Sequence, residues 1–383
     1  MSISHADAKS ASHVRGTDPA AVQSAAPRGF AYNSQQYRVV FGAGTAARLN
    51  EEVERLGIRR VLVLTTSEQR DQGTRLGAQL GSRLAGVFSD ARMHTPVEIT
   101  EAAMAVVQAQ DIDGFVAIGG GSTVGLGKAL SSRTGLPHIA MPTTYAGSEM
   151  TPILGETQHG IKTTRRSQDL IPDTVIYDVD LTLGLPSRIS AASGMNAIAH
   201  AVEALYAEDA NPLTSLMAEE GIAALGRALP RIVVAPSDGA ARHDALYGAW
   251  LCGTCLGAVG MSLHHKLCHV LGGSFDLPHA ETHAIMLPHT IAYVCEAARD
   301  RLAPAVGIFG DPLGGALYDF AASVGAPLRL ADLGAKETEL DRVTDLALAS
   351  PYWSPRELQR DGIRDLLQRA WTGQPPTSRG GAR

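Results

Sequence analysis

No apolar stretch in this 383-residue chain approaches the roughly 18 uninterrupted residues that a membrane-crossing helix needs, because polar residues break every candidate run. A membrane partner is therefore not expected. Positive charge is not in excess either: the formal net charge is −6, with acidic and basic residues mixed along the chain. Nucleic acid is a poor partner for such a chain, because neutralising phosphates requires a basic face. Cysteine is scarce, with four residues (Cys252, Cys255, Cys268 and Cys295). So few cannot form a disulfide framework in a chain this long, and a reducing, cytoplasmic setting is the expectation. Cys252 and Cys255 form a lone CxxC without the second pair or spaced histidines of a structural zinc site, and read as small core residues on one helix. Residues 1–30 lack hydrophobic periodicity and a continuous apolar run, so no secretory leader is expected there. That segment and the tail 372–383 read as disordered extensions.

What is present is an ordinary globular composition, 45% hydrophobic and 19% charged, long enough for two domains. From about residue 37, β-branched or aliphatic runs (YRVVFG, RRVLVLTT, LAGVFSD, DGFVAIGGG, HIAMPTT, TVIYDVDL) alternate with amphipathic stretches of helical period. Such alternation predicts a parallel sheet covered by helices on both faces, over residues 31–184. TPILGETQHGIKTT reads as a hairpin inserted before the last strand. After about Leu185 the strand signals stop, and residues 185–371 read as an all-helical domain. An α/β half followed by an α half places the natural site in the cleft between them.

The run DGFVAIGGG-STVGLGKAL is a strand passing through Gly119, Gly120, Gly121 and Ser122 directly into a helix. It is not the usual dinucleotide GxGxxG. Even so, glycines that let the backbone approach an anion, followed by a helix N-terminus, suit a pyrophosphate. A second polar strand end, PTTYAGSE, brings Thr143, Thr144 and Tyr145 to the same edge of a parallel sheet, where such sheets bind ligands. NADH or NADPH is the expected cofactor. Thr65 and Thr66 close RRVLVLTT where an NAD-selective enzyme often carries a carboxylate, so both cofactors should be accepted. Lys162, with Arg165 and Arg166, is placed beside the cofactor or the substrate.

Eight of the thirteen histidines lie between positions 200 and 289. Asn196 and His200 share one helical face at a spacing of four, as do His265 and His269. With Lys266 and His279 they form the candidate catalytic set. His283 and His289 read as ordinary hydrogen-bonded helix residues.

GGGS, PTT…GSE, the N/D-x3-H helix, the HxxxH helix ending in GG and the PH that follows together resemble the iron-containing alcohol dehydrogenases, over roughly residues 37 to 370. In that family an Asp and three His hold a divalent metal, at the positions of Asn196, His200, His265 and His279 here. A neutral amide at the first position is wrong for a metal that favours carboxylate and imidazole, although three histidines alone can still bind zinc. GMNAIAHAVEALYA, HHKLCHVLGG, FDLPHAETHA and PTTYAGSEMTP resemble the maleylacetate reductase branch, in which this Asp is Asn. The resemblance implies a dehydroquinate synthase-like fold and a homodimer. It also implies NAD(P)H-dependent reduction of maleylacetate, a small dianionic keto acid, and of chloromaleylacetates, to 3-oxoadipate in aromatic compound degradation, with no metal. For that substrate one of His265 and His269 is the candidate proton donor, since imidazole titrates near neutral pH, and Lys266 the candidate carboxylate ligand. A metal-dependent (Fe/Zn) alcohol or polyol dehydrogenase is the competing reading.

Overall fold

Strands rich in valine, isoleucine and leucine, unbroken by polar residues, need apolar cover on both faces, and the chain supplies it with helices. The computed structural model describes residues 30, 32, 37–159 and 161–377, without the side chains of 161, 162 and 274. The expected N-terminal extension, apart from Phe30, lies outside the described residues, as does the expected tail beyond Thr377. Through the first half run β1 (Arg38–Gly42), α1 (Leu49–Arg55), β2 (Val61–Leu64), α2 (Arg70–Gly77), β3 (Leu84–Phe88), α3 (Val97–Ala109), β4 (Gly114–Gly119), α4 (Gly121–Thr134) and β5 (His138–Pro142). The hairpin β6 (Ile153–Gln158) and β7 (Ile161–Arg166) follows, and then β8 (Thr174–Asp178).

Six strands form one parallel sheet in the order β1-β8-β5-β4-β2-β3, with Val63 opposite Val116 and Ala117 opposite Ala140. Successive side chains alternate between faces. Val61, Val63, Val116, Ile118, Ile139 and Met141 enter one apolar layer, whereas Leu62, Leu64, Phe115 and Ala117 meet Ala103, Val107, Leu126 and Leu130 of α3 and α4 in the other. Each valine, leucine, isoleucine, methionine or phenylalanine among them contributes about 1.5–3 kcal/mol by leaving water. The strand order reverses between β2 and β4, since β3 lies beyond β2 on one side and β5 beyond β4 on the other. The carboxyl ends of these strands therefore open on a crevice at a topological switch point.

The rest is helical: α5 (Ser187–Tyr206), α6 (Pro212–Val234), α7 (Gly239–Ala258), α8 (Leu263–Phe275), α9 (His279–Val294), α10 (Ala303–Phe309), α11 (Leu313–Ser323), α12 (Leu340–Leu348) and α13 (Arg360–Thr372). Among the described residues no single helix is long and apolar enough to cross a membrane. Helix α5 is its axis, buried at every position from Ser190 to Tyr206. Its small residues permit that: a Cβ on Gly194 would lie 2.7 Å from Leu229 of α6. Cys252 and Cys255 are buried on α7.

Helix α7 fastens the halves together at two close contacts among others. The fully buried Arg242 of α7 donates to the Tyr145 hydroxyl (3.0 Å), Ser190 Oγ (2.7 Å) and the carbonyls of Leu185 (2.7 Å) and Pro236 (2.9 Å). Beside it Gly147, at φ 76°, meets Gly253 backbone to backbone, and a Cβ on Gly253 would lie 2.5 Å from the Gly147 carbonyl oxygen.

Candidate active site

The cleft between the halves has a volume of about 630 Å³. On the sheet side it is lined by Gly120, Gly121 and Ser122 at the start of α4, by Thr66 after β2 and by Thr144 after β5. Gly119 adopts φ 156°, and a Cβ there would lie 2.4 Å from Thr123 Oγ1, so only glycine gives this turn. A Cβ on Gly120 would press on the Thr144 side chain at 3.1 Å. Helix α4 has no acidic residue in its first turn and no side-chain cap. Its first N–H groups and the positive end of its dipole therefore face the cleft, as an anion site requires.

Four residues expected beside the cofactor, Gly119, Thr65, Thr143 and Tyr145, do not line the cleft. Thr65, Thr143 and Tyr145 are buried, because neighbours at a strand end point to opposite sides and only Thr66 and Thr144 face outward. Thr143 Oγ1 accepts from Gln69 (2.9 Å), and Tyr145 is held by Arg242. The Lys162 side chain lies outside the description, but Arg165 and Arg166 of the same strand reach the cleft. A cation not foreseen from the sequence is Lys128, on α4. Its buried ammonium donates to Ser148 O (2.6 Å), Thr151 O (2.7 Å), Thr151 Oγ1 (3.0 Å) and Ile153 O (3.0 Å), pinning the segment that leads into β6. Burial lowers its pKa to about 7, opposed by the nearby Glu149 carboxylate.

On the helical side, α5 contributes Asn196 and His200, α8 contributes His265 and His269, and the first turn of α9 contributes His279, all lining the cleft. His200 Nδ1 and His265 Nε2 are hydrogen-bonded at 2.8 Å. The Ala146 carbonyl approaches both Asn196 Nδ2 (3.4 Å) and His200 Nε2 (3.3 Å), while Asn196 Oδ1 is buried with no protein partner. The His265 and His269 rings are 6.1 Å apart. Lys266 stands apart from this set. One step along α8 turns it about 100° from His265, and its ammonium lies 5.7 Å over the Tyr352 ring instead of lining the cleft.

Three buried residues join the cluster that sequence reasoning passed over. His283, expected to be an ordinary helix residue, packs against His279 with ring centroids 4.3 Å apart and planes tilted by 54°, and lies 4.9 Å from His265. His264 Nε2 and His283 Nδ1 are 3.0 Å apart. Glu203, one turn beyond His200 on α5, is fully buried and 2.5 Å from His265 Nδ1. The spacing of Asn196, His200 and Glu203 at i, i+4 and i+7 was the available signal, since all three share a face. His289 is buried against Tyr318, outside the cluster.

Burial pushes His200, His264 and His283 well below the ordinary imidazole pKa, and neighbouring imidazoles add to the shift. These three are neutral at pH 7 and serve as hydrogen-bonding groups rather than charges. Nitrogens of His200, His265 and His283 come within 4.8 Å of one another, close enough to surround an ion. Two imidazoles on one tetrahedral zinc stand roughly 3.3 Å apart at Zn–N distances of ~2.0–2.1 Å. His200 and His265 are closer than that and bonded to each other.

Comparison with known proteins agrees with this layout. Residues 36–179 match the family model described as iron-containing alcohol dehydrogenase, and residues 190–371 match that of the Fe-containing alcohol dehydrogenase family, C-terminal. A curated maleylacetate reductase from Rhizobium sp. (strain MTP-10005) is 57% identical over 91% of this chain and 99% of its own length. The crystal structure of maleylacetate reductase from Agrobacterium tumefaciens superposes with a TM-score of 0.88 at 57% identity, covering 91% of this chain and all of that one. A putative alcohol dehydrogenase from Ralstonia eutropha JMP134 gives a TM-score of 0.90 at 52% identity, over 91% of this chain and all of its own. Nicotinamide dependence, the fold and oxidoreductase activity all go with that likeness: this chain belongs to the iron-containing alcohol dehydrogenase family, alongside its maleylacetate reductases.

Proposed function

We propose that this chain reduces the C=C bond of maleylacetate to give 3-oxoadipate, using NADH or NADPH and no resident metal. The observation that carries the reading is the cluster of Asn196, the neutral His200 and His265 facing the Gly120–Ser122 turn across one cleft. When bound, the nicotinamide supplies a hydride to the alkene carbon β to the ketone. The first turn of α4 binds the pyrophosphate. The displaced π electrons place negative charge on the α carbon and the ketone oxygen, an enolate that hydrogen-bond donors stabilise without a Lewis acid. His200, His265 and His279 surround that enolate, and His265 or His269 delivers a proton to its α carbon. Arg165 and Arg166 at the rim draw in the substrate carboxylates, the task first expected of Lys266.

The donor set supports a metal-free site. Asn196 supplies an uncharged amide where the family holds a carboxylate, and the two central imidazoles bind each other. Thr66, in place of a carboxylate at the end of β2, supports acceptance of both cofactors. The proposal includes a cytoplasmic homodimer that acts on a small dianionic keto acid, with neither nucleic acid nor membrane as partner; light scattering on the purified protein tests the dimer. The deciding experiment is NADH consumption with freshly generated maleylacetate, with and without EDTA, beside metal analysis. Turnover indifferent to chelator, with no bound metal, is the expected result. Loss of activity in EDTA would keep the substrate and overturn the metal-free site. The three nitrogens within 4.8 Å favour a metal-dependent alcohol dehydrogenase as the second reading, and that reading wins if alcohol oxidation appears only with iron or zinc.

A further inference from the structure

The Glu203 carboxylate is buried with three donors around it. Oε2 is 2.5 Å from His265 Nδ1, and Oε1 accepts from the His264 backbone N–H (2.8 Å) and from the Tyr206 hydroxyl (3.2 Å). A carboxylate only accepts hydrogen bonds, so the hydrogen in its bond to His265 must sit on Nδ1. That leaves His265 Nε2 as the nitrogen turned toward His200 and the cleft. The bond to His264 N–H lies in the first turn of α8, where helix N–H groups have no partner of their own and Asp or Glu is favoured. One buried group thus fixes both the start of the helix that carries His265 and the orientation of its ring.

We infer that Glu203 is a positioning residue for the reduction, holding the His265 Nδ1–H inward so that Nε2 faces the site. A second proton, carried on Nε2, is given to the enolate; this leaves the neutral Nδ1–H tautomer bonded to Glu203, and the proton is regained from solvent. The inference rests on the proposed maleylacetate reduction. A carboxylate behind a working imidazole holds it in one tautomer and one rotation, and losing such support typically costs about 10–100-fold in activity. Nothing between Glu203 and the cleft gives it direct contact with substrate, because its side chain is fully buried behind His265. The effect should therefore fall on turnover and not on binding.

The test compares wild type with Glu203→Gln, Glu203→Asp and Tyr206→Phe, measuring kcat and KM for maleylacetate, the solvent deuterium isotope effect on kcat, and Tm. If wild type does not oxidise NADH with maleylacetate, the proposed function itself falls, before any variant is compared. Given an active wild type, Glu203→Gln should lower kcat about 10–100-fold with KM changed by less than about threefold. Its solvent isotope effect should grow, since proton delivery becomes slower than the other steps. Glu203→Asp should recover part of kcat, and Tyr206→Phe, which removes one donor but leaves the bond to His265, should keep wild-type kcat. A kcat for Glu203→Gln within about twofold of wild type overturns the inference. So does a loss accompanied by a raised KM and an unchanged isotope effect, which would reduce Glu203 to a helix cap. Should Glu203→Gln fail to fold, Glu203→Asp is judged by the same two criteria.

Discussion

Replacing Arg242 by Met tests whether the two halves are fastened where the geometry indicates. The guanidinium has four acceptors, and the loss is unequal among them. Ser190 Oγ keeps a bond to the Pro186 carbonyl (3.1 Å), but the Leu185 and Pro236 carbonyls lose their charged donor. Pro236 is exposed and its carbonyl turns to water. The charged bonds to the half-buried Leu185 carbonyl and the buried Tyr145 hydroxyl are worth about 1.5–3 kcal/mol each, and no longer burying a guanidinium returns part of that. The expected net loss is about 3 kcal/mol. A 383-residue chain unfolds with an entropy of roughly 0.8 kcal/mol/K at ~2.1 cal/mol/K per residue, so Tm should fall by about 4 °C in calorimetry. The same change frees Tyr145, and with it the loop carrying Thr144 and Ala146 in the cleft wall. NADH affinity, read by fluorescence titration, should weaken about threefold or more as that wall loosens, a loss of at least ~0.6 kcal/mol. A Tm within 1 °C of wild type refutes the brace, and a lowered Tm with unchanged affinity refutes its link to the cofactor wall.

Acid should weaken the fold through His138, which is fully buried with neither ring nitrogen bonded. Burial lowers its pKa from 6.5 to about 3, so the unfolded chain takes up the proton first. Stability is then lost as pH falls below about 6.5, by about 2 kcal/mol at pH 5 from this group alone, and denaturant titrations of His138→Leu should be flatter by that amount. Gly253→Ala forces a methyl group onto the Gly147 backbone and should cost about 2 kcal/mol or more, visible as a lower urea midpoint. Gly121→Asp separates stability from function, since its Cβ would meet only Ser148 Oγ at 3.7 Å. An acid in the first turn of α4 should stabilise the helix by about 0.3–1 kcal/mol while repelling the cofactor pyrophosphate, so Tm holds or rises as NADH binding weakens at least about tenfold.

The fold was legible because its signals are local. β2, β4, β5 and β8 are short apolar runs, and each is followed by a turn residue or a helix of the expected period. The pairing of Asn196 with His200 on one face was legible for the same reason. What a local pattern cannot give is which face of a helix meets which neighbour. Lys266 follows His265 directly, yet the turn of α8 sends it to Tyr352. His283 has no distinguishing neighbour in sequence, and its place in the cluster depends on α9 packing beside α8. Thr143 and Tyr145 were misplaced because a strand end was read as though every residue on it faced the ligand.

The composition of the cluster follows from where it is built. A site on α5, buried at every position from Ser190 to Tyr206, cannot hold several charges without several counter-charges. Depressed imidazole pKa values resolve this by keeping His200, His264 and His283 neutral, and Glu203 has two side-chain donors and one backbone donor of its own. A carboxylate at position 196 would add a second negative group within this enclosure. Such a group becomes tolerable when a divalent cation sits among the imidazoles, and costly when none does. The amide of Asn196 removes that requirement while keeping a donor on the Ala146 carbonyl. On the proposed metal-free reading the two choices are linked: with Asn196 the cluster needs no ion to be stable, and a substrate whose charge delocalises into an enolate needs none to react.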